Sequence, residues 1–144
     1  MPTRHDITFA ARGWIGTPYR HQASLKGVGC DCLGLVRGVW RECIGAEPEA
    51  MPAYSADWAE AGAGETLRNA ALRHMTLLTL DDARAGDVLL FRWRAHLPAK
   101  HVGILGAPLA LIHAHEGVAV CEIALSDWWL RHRVAAFRFP GIED

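Results

Sequence analysis

The stretch that decides how this chain is read is GCDCLGLVRGVW, residues 29–40, in which Cys30 and Cys32 flank Asp31 ahead of a glycine-spaced apolar run. Asp31 is a favoured N-cap type, and Leu33, Leu35, Val36, Val39, Trp40, Cys43 and Ile44 recur at helical spacing. The pattern predicts an amphipathic helix that opens just after Asp31 and stops at Gly45. Cys32 then falls in the first turn, where unpaired N–H groups and the positive end of the helix dipole favour a thiolate. With a cationic neighbour, such a position lowers a thiol from about 8.5 into a range of roughly 3.5 to 7.5, which is the expectation for Cys32. Gly34 and Gly38 share one helix face and each costs up to about 1 kcal/mol relative to alanine, so that face is expected to pack closely on a neighbour.

Two other readings of the cysteine pair are weaker. Zinc usually takes C-x2-4-C with a second ligand couple, and here the spacing is tighter and the second couple is missing. A thioredoxin-like redox pair has two residues between its cysteines, and this one has one. Cys30, in the loop before the cap, reads as a partly buried small residue, and Cys43 and Cys121 as core filler.

Working outward, residues 6–15 read as a short helix ended by Gly16 and Pro18, and GTPYRHQASLKGVG as the loop leading to Asp31. Residues 46–55 read as loop, and 56–73 as an alanine-rich helix weakened at Gly62 and Gly64. From DDARAGDVLLFRW onward the grammar becomes that of strands, expected near 87–93, 101–105, 109–114, 118–123 and 133–139, with SDWWLRH as a helical turn capped by Ser126 or Asp127. Helices first and a strand meander afterwards imply an α+β fold in a single domain over residues 1–144.

At 144 residues with 51% hydrophobic and 22% charged residues, the chain can build its own core. No apolar run approaches the roughly 18 residues of a membrane span. A formal charge of -1 disfavours nucleic acid as the main partner. The N-terminal stretch shows no secretion signal, so the expectation is synthesis in a reducing cytoplasm with free thiols. Six tryptophans, Trp128 and Trp129 adjacent, read either as a sticky docking surface or as core.

A nucleophile needs a base, and the chain has eight histidines. HVGILGAPLALIH runs from His101 to His113 with Gly106, Ala107 and Pro108 at its centre, as a three-residue hairpin loop would. Reflection about Ala107 sets His101 opposite His113 on one face, the arrangement of a base and the group that orients it. His115 shares parity with His113 and is the alternative orienter. His21, beside PYR, is a candidate substrate contact. His96 reads as a loop residue, and His5, His74 and His132 as surface residues.

These pieces resemble the NlpC/P60 family of papain-like cysteine peptidases: GTPYRH before the nucleophile, DCLGLV at its helix, GDVLLF as the first long strand, HVGIL at the base and LIHA at the orienting residue, covering most of residues 10–123 in the family's order. The resemblance implies a papain-like fold with Cys32 as nucleophile, His101 as general base and His113 as the third polar member. It implies Tyr19 beside the oxyanion site with the Cys32 N–H, and Asp31 as the aspartate before the nucleophile. It further implies no cofactor or metal and a peptidoglycan stem peptide as substrate, cut at the D-γ-glutamyl–diaminopimelate or –lysine bond. The tail WWLRHRVAAFRFP resembles the branch associated with phage and gene-transfer-agent tails, which implies tail or hub proteins as partners and delivery to the wall inside a particle. A structural tail-tip component and a papain-like acyltransferase are the alternatives. The loop RHQASLKGVG and the segment WRAHLPAK depart from the family pattern around the groove.

Overall fold

Thr3 starts the first helix through a capping box: its side chain accepts from the Asp6 N–H, and the Asp6 carboxylate accepts from the Thr3 N–H at 2.9 Å. Helix α1 therefore spans Arg4–Arg12 and gives way to turns at Gly13, two to three residues earlier at each end than the expected 6–15. The computed structural model describes residues 1–49 and 65–144. Helix α2 spans Cys32–Cys43 with Asp31 as N-cap, and Gly45 follows it at φ +146°, as the sequence predicts. Of the expected helix at 56–73, the first part lies outside the described residues, and Thr66–His74 forms α3.

The loop between α1 and α2 folds onto itself as a two-stranded ribbon, β1 (Ser24–Leu25) and β2 (Gly29–Cys30). The remaining strands are β3 (Thr76–Leu78), β4 (Val88–Phe91), β5 (His101–Ala107), β6 (Ala110–His115), β7 (Val118–Ala124) and β8 (Arg133–Arg138), with the short helix α4 (Asp127–Arg131) before β8. They form an antiparallel sheet in the order β3-β8-β4-β5-β6-β7. Strands β4 to β7 are the expected meander. β8 breaks it by returning to the free edge of β4, and β3, which is short and lacks a polar–apolar alternation, was not expected.

Both faces of the sheet are covered, which is why VLLF is a continuous apolar run rather than an alternating one. On one face α1 and α2 pack against Val88, Leu90, Val102, Ile104, Ile112 and Ala114. On the other, Leu89, Phe91, Leu105, Leu111 and Ala136 meet Leu125 and Trp129. The helix glycines are spent on close approach: a Cβ on Gly34 would lie 1.9 Å from the Ala23 carbonyl oxygen, and one on Gly38 would lie 2.0 Å from the buried Trp14 ring. Among the described residues no helix is long and apolar enough to cross a membrane.

Candidate active site

Asp31 is 2% exposed and holds two pieces of backbone at once. Its Oδ1 accepts from the Gly34 N–H at 2.7 Å, capping α2, and its Oδ2 accepts from the Gln22 N–H at 2.7 Å, pinning a turn in which Gln22 has φ +64°. The same anchoring brings His21 Nδ1 to 4.0 Å from Asp31 Oδ2. Tyr19 is set beside the nucleophile helix by a parallel bridge to Cys30, where Cys30 N–H donates to Pro18 O and Arg20 N–H to Cys30 O. The departing loop RHQASLKGVG is thus ordered around the start of α2 by Asp31 and β2.

Cys32 is the first residue of α2 and packs against the helix-side core. The backbone N–H groups of Val102, Leu33 and Cys32 itself point at its sulfur. The expectation of a lowered thiol pKa is nevertheless overturned. Burial, followed by the Asp31 carboxylate, pushes the Cys32 thiol up to about 12, and the N–H groups offset only part of this.

His101 and His113 are both buried, and Nε2 of His101 lies 2.8 Å from Nδ1 of His113. The route to this contact differs from the expected one. The hairpin turn is Pro108–Leu109, two residues rather than three, with an irregularity between Leu105 and Ala107, and the ladder pairs Ile104 with Ile112. Continued to the strand ends, that register places His101 across from His115 and leaves His113 one diagonal step away. A two-residue shift preserves parity, so the imidazoles still share a face, and diagonal neighbours stay within reach of long side chains. His115 joins the group, with its ring centroid 5.6 Å from that of His101. Burial first, then the neighbouring imidazoles, hold His101 well below the ordinary imidazole value, and burial with His115 brings His113 down to about 4. At neutral pH both rings are uncharged.

By strand alternation His101 and His113 lie on the face of Leu105 and Leu111, opposite α2. The cleft sits at the end of the sheet where the two faces meet: Cys32, Leu33 and Ala114 enter from one side, and Trp93, His101 and His115 from the other. Tyr19, His21 and Asp31 form its loop wall. A second cavity lies between α2 and α3, but its walls are almost wholly hydrocarbon and include neither Cys32 nor His101, so the chemistry belongs to the cleft. Among the described residues no three His, Cys, Asp or Glu side chains are placed to hold a metal ion.

Cys32 and His101 in one cleft are the thiol and imidazole that nucleophilic acyl chemistry requires. His101 Nε2 is engaged with His113, which leaves Nδ1 as the nitrogen available to a thiol proton. For Nδ1 to accept, Nε2–H must donate and His113 Nδ1 must accept. Tyr19, raised to about 12 by burial and the nearby Cys32, Asp31, Glu116 and Cys30, keeps its phenolic proton and remains a donor.

The sequence reading missed the aromatic shell. Trp93 stacks on His101 at 5.3 Å and 27°, and Trp129 meets His113 edge-on at 5.2 Å and 90°. Trp128, 43% exposed, stacks in turn on His132. Trp129 therefore packs on the core cluster, as one of the two expectations has it, and also covers His101 and His113, while Trp128 covers His132, which is not an isolated surface residue. The only sequence signal was proximity of WW to the strand that closes the sheet beside β4. His74, likewise, pairs with Glu49 at 3.1 Å.

No curated protein sequence matches the chain. Among solved structures, the NlpC/p60 domain of the peptidoglycan hydrolase SagA is similar with a TM-score of 0.64 at 23% identity, covering 95% of this chain and 99% of that one. An NLP/P60 family protein of Staphylococcus aureus, described as similar to lipoprotein, gives 0.63 at 21% identity over 98% of this chain and 42% of its own. An NlpC/P60 family protein of Bacillus cereus gives 0.68 at 18% identity over 96% and 40%. The chain thus spans well under half the length of the latter two, and these likenesses establish the fold. The sequence model of the NlpC/P60 family matches residues 16–138, and the chain belongs to that family.

Proposed function

We propose that this chain is a cysteine peptidase that hydrolyses peptidoglycan stem peptides at the D-γ-glutamyl–diaminopimelate bond, carried to the wall in a phage or gene-transfer-agent tail. The observation that carries the reading is that Cys32, at a helix start, and His101 line one cleft, with His113 hydrogen-bonded to His101 behind it. Family membership supports it, as does the likeness to a SagA domain of nearly the same length. The tail context is supported by the resemblance of WWLRHRVAAFRFP alone.

In this mechanism His101 Nδ1 takes the Cys32 proton as the sulfur attacks the amide carbonyl, so charge separation occurs during attack. The Cys32 N–H and the Tyr19 hydroxyl donate to the tetrahedral oxyanion. His101 then passes the proton to the leaving amine, and with His101 again neutral, water hydrolyses the thioester. His113 holds the ring and accepts from Nε2–H throughout. Asp31 shapes the loop wall, from which His21 reaches substrate.

Digestion of purified peptidoglycan by the wild type and by Cys32→Ala tests the reading. New amine termini at the D-γ-glutamyl–diaminopimelate bond are expected from the wild type only, with the mass of one water added across each cut. Equal release by both proteins removes Cys32 from the reaction. Particles carrying Cys32→Ala test the tail context, with delivery through the wall expected to fall.

A further inference from the structure

Trp129 touches more of the candidate site than any role as surface or core accounts for. It is presented by α4, on the side of the sheet opposite the nucleophile helix, and packs against the cluster of Leu89, Phe91 and Leu111. Its ring centroid lies 5.2 Å from His113 at 90°, 5.7 Å from His101 at 42° and 6.5 Å from His115 at 90°. Phe91 holds it edge-on at 5.2 Å, and Trp128 does so at 5.1 Å and 84°. Trp93 occupies a further side of His101, stacked at 5.3 Å. Edge-to-face packing of this kind favours one ring orientation over others.

We propose that Trp129 is a positioning residue for the His101–His113 pair: it fixes both ring planes and seals their hydrogen bond from water on the face of the sheet away from Cys32. The chemistry that makes this matter is the neutral, directional bond itself. A His–His pair has no formal charge to hold it, so two rotatable rings keep one geometry only if packing removes the alternatives. Water at Nε2 of His101 would compete with His113 for that proton and allow the ring to turn, and Nδ1 would then leave the line of attack. The other titratable and charged groups around the pair are His115 from β6, Cys32 and Asp31 from the start of α2, Tyr19 and His21 from the loop before β1, Lys100 before β5 and Glu116 after β6. On α4 itself these are Asp127 and Arg131, with His132 at its C-cap against Trp128.

The role rests on His101 acting as the base of the proposed peptidase, and the experiment separates the two. Trp129→Ala and Trp129→Phe are compared with Leu125→Ala. That control trims the same apolar cluster near Leu109, at the hairpin-turn end of β6, away from the imidazoles. Imidazole NMR titrations are recorded on the full chain, alongside kcat and KM on a stem peptide. In Trp129→Ala the His101 and His113 midpoints are expected to move up toward the ordinary 6.5, and kcat to fall about 10- to 100-fold with KM within about twofold. Trp129→Phe, which keeps an aromatic edge, restores most of both, and Leu125→Ala leaves the midpoints in place. Unchanged midpoints in a folded Trp129→Ala, or midpoints moved equally by Leu125→Ala, overturn the positioning role. Midpoints that move as expected in a protein that cuts no stem peptide overturn the peptidase reading and leave the packing role standing.

Discussion

His101 Nε2 and His113 Nδ1 are 2.8 Å apart although the two residues are not directly paired across the β5–β6 hairpin. The contact is diagonal, and it fixes which nitrogen of His101 remains for Cys32. What His113 must supply is an acceptor at that one position. His113→Asn, whose amide oxygen can accept, is expected to retain more activity than His113→Ala, with losses in kcat of about 10-fold and about 100-fold or more. Steady-state kinetics on a stem peptide checks this, and equal losses would mean that the ring serves only as filler.

Cys32 rests as a thiol because burial and the Asp31 carboxylate outweigh the N–H groups aimed at it. Alkylation of Cys32 by iodoacetamide, followed by mass spectrometry of its peptide, is therefore expected to accelerate with pH without a plateau up to pH 9. Asp31→Asn removes the nearer negative charge and should speed that reaction several-fold at pH 8. It also sacrifices the acceptor for the Gln22 N–H, at a stability cost of about 1 to 2 kcal/mol. A plateau with a midpoint below pH 8 in the wild type would mean that a preformed ion pair exists.

The nucleophile helix was legible because its signals are local: an N-cap, an apolar stripe and a stop glycine all lie within residues 31–45. The histidine pair was legible for a different reason. Parity decides which face a strand residue takes, and the error of two residues in register cancels in parity though not in pairing. Three features were not legible because each depends on distant parts of the chain. The insertion of β8 beside β4 is a long-range pairing, the raised thiol pKa follows from burial and the Asp31 carboxylate, and Trp129 meets imidazoles that lie on other strands of the sheet.

Gly34 and Gly38 let α2 pack closely on the Ala23 loop and on Trp14. A methyl group on Gly34 meets a backbone carbonyl oxygen at 1.9 Å, and one on Gly38 meets the Trp14 ring at 2.0 Å. Backbone cannot step aside as a side chain can, and Trp14 is itself 1% exposed. Gly34→Ala and Gly38→Ala are each expected to destabilise the fold by about 1 to 3 kcal/mol, even though alanine has the better helix propensity. Urea unfolding measures the loss. A gain in stability at Gly34 would show that the Ala23 loop is free to move.

The buried imidazoles also make the fold acid-sensitive in a defined window. In the unfolded chain His113 takes up a proton near 6.5, whereas in the folded protein burial and His115 delay this to about 4. Between those values the unfolded state binds more protons, so stability rises with pH: it is fully present above about 6.5 and is lost as the pH falls toward 4. For His113 alone the gap corresponds to about 3 kcal/mol, and His101, held low by burial in the same way, adds with the same sign. The paired carboxylates Asp6, Glu47, Glu49, Glu122 and Asp144 are all lowered, so their contributions are lost only as the pH falls below about 5 and leave the range from pH 7 to pH 5 to the histidines. The urea midpoint is expected to drop steadily from pH 7 to pH 5 in the wild type and less steeply in His113→Asn. Parallel slopes in the two proteins would place the acid sensitivity in other groups and show that His113 is not held neutral by burial.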